Sequence, residues 1–319
     1  MFESGHRASE GTKMGPIQIV RADHLGMCFG VRDAIALAVR RADAVPLTIL
    51  GDLVHNDAVL ADLRSRGIAT ARDPADVTTP IAMVTAHGAS ERMLARARAA
   101  GLEIVEATCP LVRVAHRAIH ALIRDGYHPV IIGQRNHVEV RGLTEDLDDF
   151  DVVLDEADVL ALESRSRFGI ASQTTQPIDR VRHLVGLIRR HFPASEVRFL
   201  DTVCRPTKER QESAVELARR SDVVIVVGGA NSNNTRELVN TCERYCSRVF
   251  HVQTEADLRR EWFVSAEIVG LTAGTSTPDD VIDRVERRIL AGTGSISTDS
   301  ANSGTEVTVQ CGDLRPHEH

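Results

Sequence analysis

Cys28, Cys109 and Cys204 recur at intervals of 81 and 95 residues, each between a strand-forming run and a helical pattern. The runs read Ile17-Gln18-Ile19-Val20, Glu103-Ile104-Val105-Glu106 and Val197-Arg198-Phe199-Leu200. A chain that repeats one strand–turn–helix unit three times can bring three thiolates to one point. That is the ligand set of an iron–sulfur cluster with one iron left without a protein ligand, and the open iron is where chemistry can happen. The helix that follows each turn favours the thiolate through its dipole. One cysteine alone would not carry this reading, because a free Cys is most often a small buried apolar residue. Cys242 and Cys246, four apart in a helical pattern with no partner pair, are read that way, and Cys311 in the C-terminal tail is read as inert.

A second set of residues falls in short polar turns at the ends of predicted strands. They are Val54-His55-Asn56, Thr85-Ala86-His87-Gly88, Asn136-His137-Val138-Glu139, Ser172-Gln173-Thr174-Thr175, Asn231-Ser232-Asn233-Asn234-Thr235 and Thr272-Ala273-Gly274-Thr275-Ser276. In open parallel sheets, ligands bind beyond the carboxyl ends of the strands. Turns that open a helix offer free backbone N–H groups to an anion. Hydroxyls, amides and imidazoles added to them describe a cage for a phosphorylated small molecule. No P-loop and no G-x-G-x-x-G fingerprint is present. Helix capping alone also favours Ser and Asn at such positions. His116, His120, His183 and His191 lie in helical patterns and are read as surface or helix-end residues.

The elements that must position these turns alternate along the chain. Predicted strands are Ile17–Val20, Leu47–Leu50, Ile81–Thr85, Glu103–Val105, Pro129–Ile132, Val152–Leu154, Gly169–Ser172, Arg198–Leu200, Val223–Val227, Val249–Val252 and Ile268–Leu271. Predicted helices include Val31–Ala42, Asp57–Arg66, Glu91–Ala100, Val112–Arg124, Asp179–His191, Thr207–Arg220, Asn234–Cys246 and Pro278–Leu290. Strands alternating with helices make βαβ units, hence an α/β fold with parallel sheets flanked by helices. The three Cys-centred segments read as a pseudo-repeat with units starting near residues 17, 103 and 197.

The chain has 319 residues, 43% hydrophobic and 26% charged, the profile of a globular protein of two or three domains. A net charge of −7 and 3% aromatic content argue against a nucleic-acid binder. No apolar run approaches the roughly 18 residues of a membrane span, so no membrane partner is expected. Met1 to Gly15 lacks the apolar core of a signal peptide, which points to the cytosol, where thiols stay reduced.

Taken together, the motifs resemble those of the 4-hydroxy-3-methylbut-2-enyl diphosphate reductase family over roughly residues 17–290. The resemblance rests on Gly26-Met27-Cys28-Phe29-Gly30-Val31, Val54-His55-Asn56, Thr85-Ala86-His87-Gly88, Ala107-Thr108-Cys109-Pro110-Leu111, Gln173-Thr174-Thr175, Cys204 with Arg210-Gln211, Asn231-Ser232-Asn233-Asn234-Thr235 and Ser276-Thr277-Pro278. It implies three small pseudo-repeated α/β domains around a central cluster, a trefoil-like body, at 17–108, 109–203 and 204–290, with peripheral tails at 1–16 and 291–319. It implies a [4Fe–4S] cluster held by Cys28, Cys109 and Cys204, with one open iron. It further implies that His55, His87, His137, Ser232, Asn233, Asn234 and Ser276 hold a diphosphate. Glu139 would deliver protons, with His137 and Thr174 beside it.

The activity the resemblance implies is reductive dehydration of the hydroxylated allylic diphosphate to isopentenyl and dimethylallyl diphosphate, the last step of the methylerythritol phosphate route. Electrons would come from an external donor such as ferredoxin or flavodoxin, since no segment here could serve as one. Two departures from the family pattern are Val138, where Pro is usual, and Pro206, where Ala is more common. Pro206 suits the first turn of a helix, and Val138 restores a backbone N–H. A related allylic diphosphate is an alternative substrate. A three-Cys cluster hydratase, a redox-sensing regulator and a zinc hydrolase are alternative classes.

Overall fold

Val223-Val224-Ile225-Val226-Val227 buries every position, which requires a strand covered on both faces. Its odd positions join one apolar core and Val224 and Val226 another, as the two-residue period of a strand dictates. The computed structural model describes residues 17–293, and such strands recur through it.

The chain enters through β1 (Gln18–Arg21) and turns at Cys28 into α1 (Phe29–Ala42). It continues through β2 (Leu47–Leu50), α2 (Asp57–Ser65), β3 (Ala69–Ala71), β4 (Ile81–Val84), α3 (Glu91–Ala99) and β5 (Glu103–Glu106). The second unit follows the same plan with α4 (Pro110–Arg124), β6 (His128–Ile132), α5 (Val138–Thr144), β7 (Asp151–Val153), α6 (Glu156–Leu160), β8 (Arg167–Ser172), α7 (Ile178–His191) and β9 (Glu196–Phe199). The third comprises α8 (Arg205–Arg219), β10 (Val223–Val227), α9 (Asn233–Glu243), β11 (Val249–Val252), β12 (Ile268–Ala273) and α10 (Asp279–Thr293).

Three parallel four-stranded sheets result, ordered β3-β2-β4-β5, β7-β6-β8-β9 and β11-β10-β12-β1. The expected α/β class with three pseudo-repeated units is therefore the observed one. The expected extent of the first unit, 17–108, differs from the pairing. β1 does not join the first sheet; it pairs with β12, from Gln18 opposite Ile268 to Arg21 opposite Leu271. An apolar run identifies a strand but not its neighbour, and β12, buried at five of six positions, is closed on its far side by β1. Each Cys turn is consequently a crossing between sheets. Cys28 leads from the third to the first, Cys109 from the first to the second, and Cys204 from the second to the third.

The helices that follow these crossings pack onto the sheet they enter. Ala34 and Ala38 of α1 join Leu47, Ile49 and Met83. Ala115 and Ile119 of α4 join Ile131 and Ala171, and Ala214 and Leu217 of α8 join Val224 and Val226. Burial of a side chain such as Ile119 or Leu217 stabilises the unit by roughly 1.5–3 kcal/mol. Cys242 and Cys246 also lie in this last core.

Differences from the predicted elements have local causes. β3 is three residues long with two of them exposed, so it carries no apolar signature. α5 and α6 span seven and five residues, too short for a helical period to stand out. α10 continues to Thr293, past the predicted end at Leu290. Cys311 and the apolar Val307–Val309 stretch lie outside the described residues. Among the described residues, no helix is long and apolar enough to cross a membrane.

Candidate functional site

Cys28, Cys109 and Cys204 are the N-caps of α1, α4 and α8, and none spends its side chain on the cap. Each backbone N–H instead donates across to the loop after the third strand of a unit. Cys28 donates to the Thr275 carbonyl at 3.1 Å, Cys109 to that of Ala86 at 3.0 Å and Cys204 to that of Thr174 at 3.0 Å. The charge of Cys28 acts on both other thiols, so the three share one neighbourhood. Gly30 permits the approach: a Cβ there would stand 2.6 Å from Cys109 Sγ. Burial pushes the Cys109 thiol up and the Cys204 thiol to about 11, against hydrogen bonds from Thr207. The Arg210 guanidinium, its pKa lowered chiefly by burial, faces Cys28 and Cys204 and donates to the Gly26 carbonyl at 2.7 Å. Thiols at three helix starts, Cys109 and Cys204 desolvated and a buried cation beside them, fit an anionic metal–sulfur group: bare thiolates would be costly at the two desolvated positions, and bound iron removes that cost.

Glu139, in the first turn of α5, is 1% exposed. Its Oε1 accepts the Thr174 backbone N–H at 2.7 Å and its Oε2 accepts the Thr174 hydroxyl at 3.0 Å. Those bonds favour the carboxylate, yet burial outweighs them and raises its pKa to about 7. Thr174 is thus bonded twice to the carboxyl, while its carbonyl holds the turn of Cys204.

His55, His87 and His137 meet with ring centroids 4.9, 5.2 and 5.5 Å apart. Burial is the largest cause that lowers all three, His137 to about 3 and His87 well below its ordinary value. They are neutral donor–acceptors at pH 7. The Glu139 backbone N–H donates to His137 Nδ1 at 3.1 Å, so His137 carries its proton on Nε2. His55 Nε2, Asn234 Nδ2 and Asn233 Oδ1 are buried without a partner. Buried polar atoms are normally paired, so these are poised for a ligand.

The predicted cage residues His55, His87, His137, Ser232, Asn233, Asn234 and Ser276 all line one cavity of about 40 Å³. Ser232 caps α9 by accepting the Thr235 N–H at 3.3 Å, and Asn234 Oδ1 accepts the Thr275 N–H at 3.0 Å. Ser276 Oγ donates to the His55 carbonyl at 3.3 Å, tying the third unit to the first. Gly229 allows the same approach, since a Cβ there would meet that carbonyl at 2.2 Å. Gln173 is a brace rather than a wall: its Oε1 accepts from the Gln134 N–H and its Nε2 donates to Thr175. Thr175 and Thr275 line the cavity without having been singled out, and Arg210 had no role assigned. The Thr residues sit in motifs already noted, whereas a helical Arg gives no signal of burial. His116, read as a surface residue, is half-buried, with Nε2 enclosed and unpartnered. The departures fit locally: Val138 opens α5 at a position open to Pro, and Pro206 stands in the first turn of α8.

A family model described as LytB protein matches residues 19–290. A 4-hydroxy-3-methylbut-2-enyl diphosphate reductase of Anaeromyxobacter sp. (strain Fw109-5) is 38% identical over 275 residues, 84% of this chain and 95% of the relative. One of the same name from Aquifex aeolicus (strain VF5) is 34% identical over 86% of this chain and 96% of its own length. The solved structure of (E)-4-hydroxy-3-methyl-but-2-enyl diphosphate reductase, the terminal enzyme of the non-mevalonate pathway, aligns at TM-score 0.63 and 33% identity, covering 86% of this chain and 99% of that one. The Plasmodium falciparum E-1-hydroxy-2-methyl-but-2-enyl-4-diphosphate reductase aligns at TM-score 0.82 and 26% identity, over 91% and 94%. With the model matching nearly all of the described residues and relatives aligned over almost their whole length, the chain belongs to the LytB protein family.

Proposed function

We propose that this chain is an iron–sulfur oxidoreductase that reductively dehydrates 4-hydroxy-3-methylbut-2-enyl diphosphate to isopentenyl and dimethylallyl diphosphate. The substrate takes up two electrons and two protons and releases its hydroxyl as water. The observation that carries the reading is Thr174, which fixes a buried acid with its N–H and hydroxyl and a cysteine turn with its carbonyl. Proton source and cluster ligand are therefore positioned by one residue.

Cys28, Cys109 and Cys204 would hold a [4Fe–4S] cluster. When bound, that cluster supplies the electrons and, at the iron without a cysteine, a Lewis acid for the substrate hydroxyl. The protein's part is binding and proton placement. Neutral His55, His87 and His137, with Ser232, Asn233, Asn234 and Ser276, hold the diphosphate. Glu139, its pKa raised by burial to about 7, can both hold and release a proton near neutral pH. With Oε2 protonated, Glu139 donates to Thr174 Oγ, which frees the Thr174 hydroxyl to donate to the departing oxygen. The electron donor is an external ferredoxin or flavodoxin, and the reducing cytosol suits free thiols.

Protein purified without oxygen should contain about four irons and matching sulfide per chain, with an electron paramagnetic resonance signal altered by the substrate. With a low-potential reductant it should form both products. Turnover without reductant would indicate a hydratase. The histidine trio favours one second reading, since its ligand atoms lie within 4.8 Å of one another and would admit a divalent metal. Stoichiometric zinc in place of iron would select it.

A further inference from the structure

The residues lining the 40 Å³ cavity include no Lys or Arg, and its histidines are neutral. A diphosphate bound there would meet donors but no fixed positive charge. The cavity is also small, with room for about three waters. Beside it, sharing His55 and His137, opens a cleft of about 390 Å³ lined also by Arg72, Arg141 and Arg236. Arg236 is the arginine tied to the cage. It stands on α9 two residues beyond Asn234, and its charge acts on both His55 and His137. Its Nη2 donates to Gln134 Oε1 at 3.3 Å, spanning from the third unit to the second. Its side chain is exposed, and among the described residues no carboxylate lies within ion-pair distance. Of the two acids lining the cleft, Glu145 is engaged by the Ser90 hydroxyl at 2.6 Å, and Asp52 acts on His55 with the opposite sign to Arg236, so the three arginines outnumber the acids.

On the reading of the cage as a diphosphate site, we infer that Arg236 is a further diphosphate-binding residue. From the wall of the outer cleft it meets the terminal phosphate and supplies the positive charge that the cage lacks. A guanidinium suits this task, because it stays charged at all working pH values and offers paired donors to phosphate oxygens. Gln134 holds the side chain across the cleft before the ligand arrives. A strut between two units is the competing role for the same hydrogen bond.

The test is titration calorimetry of the cluster-loaded protein with inorganic diphosphate at low and high salt. Arg236→Gln should weaken binding about tenfold and flatten its salt dependence, because the lost charge is exposed and screened. Arg236→Lys should recover most of the affinity. Gln134→Ala, which removes the bridge but keeps the charge, should cost far less than Arg236→Gln. In turnover assays the Arg236→Gln defect should appear as a raised KM more than a lowered kcat. Binding by Arg236→Gln equal to wild type overturns the inference while leaving the cage intact, and so does an equal loss in Gln134→Ala with no rescue by Lys. A wild-type protein that ignores diphosphate overturns the cage reading itself, and this inference with it.

Discussion

The cysteine turns and the histidine cage occupy one frame and use it differently. At the turns, three equivalent positions carry the same residue in the same way, a helix-capping Cys whose N–H reaches the loop after a third strand. Around the cage, equivalent positions carry different residues. The loops after β2, β6 and β10 each open a helix, capped by Asn56, His137 and Ser232 respectively. The backbone keeps threefold order while the side chains abandon it. A cluster asks the same of each ligand. A substrate with a diphosphate at one end and a hydroxyl at the other does not, and the buried acid bonded to Thr174, Glu139, comes from the second unit.

The comparison breaks first at the repeated positions. Cys109→Ser should lose or degrade the cluster and abolish turnover, read as iron and sulfide content; full iron with full activity would remove Cys109 from the ligand set. Glu139→Gln, at an unrepeated position, should keep its iron and lower turnover by about 10²–10⁴-fold. The pH profile sharpens this contrast. If the protonated acid is the working form, wild-type turnover falls as pH rises through about 7. The same proton is linked to stability: the unfolded chain releases it near 4.5 and the folded chain near 7, so stability falls across that interval. Glu139→Gln should lack that slope in denaturant titrations. His87→Ala should leave iron content alone and raise KM about tenfold, by removing one buried donor from the cage; loss of iron instead would mean that the two regions are not separable. Val138→Pro should be the mildest, shifting stability by less than about 1 kcal/mol, since the first helical position tolerates Pro.

Much of this arrangement is legible in the residues. β10 is unbroken Val and Ile, and the polar turns stand at strand ends where little else would put Ser, Asn and His together. The cysteines are legible because they repeat. The parts that are not legible depend on partners far away in sequence. Nothing in Gln18–Arg21 indicates that it pairs with Ile268–Leu271 rather than with the sheet that follows it. A helical Arg gives no sign of its surroundings, yet Arg210 is buried against Gly26 and the charge of Arg236 acts on two histidines. Backbone carbonyls such as that of Ala86 leave no trace in side-chain chemistry at all.

The pairing of β1 with β12 also sets an order of events during synthesis. The first sheet and then the second can form as they emerge, because each is made of strands contiguous in sequence. β1 has no sheet to join until β12 has been made, and Cys28 lacks the Thr275 carbonyl that anchors its turn until a few residues later. β1, made before every other described strand, is thus among the last to find its place, a loop closure spanning nearly all of the described residues. If the three cysteines are the cluster ligands, delivery of iron and sulfide to all of them has to wait until β12 and Thr275 have been made, and a nascent chain stalled before β12 would offer only two anchored thiols.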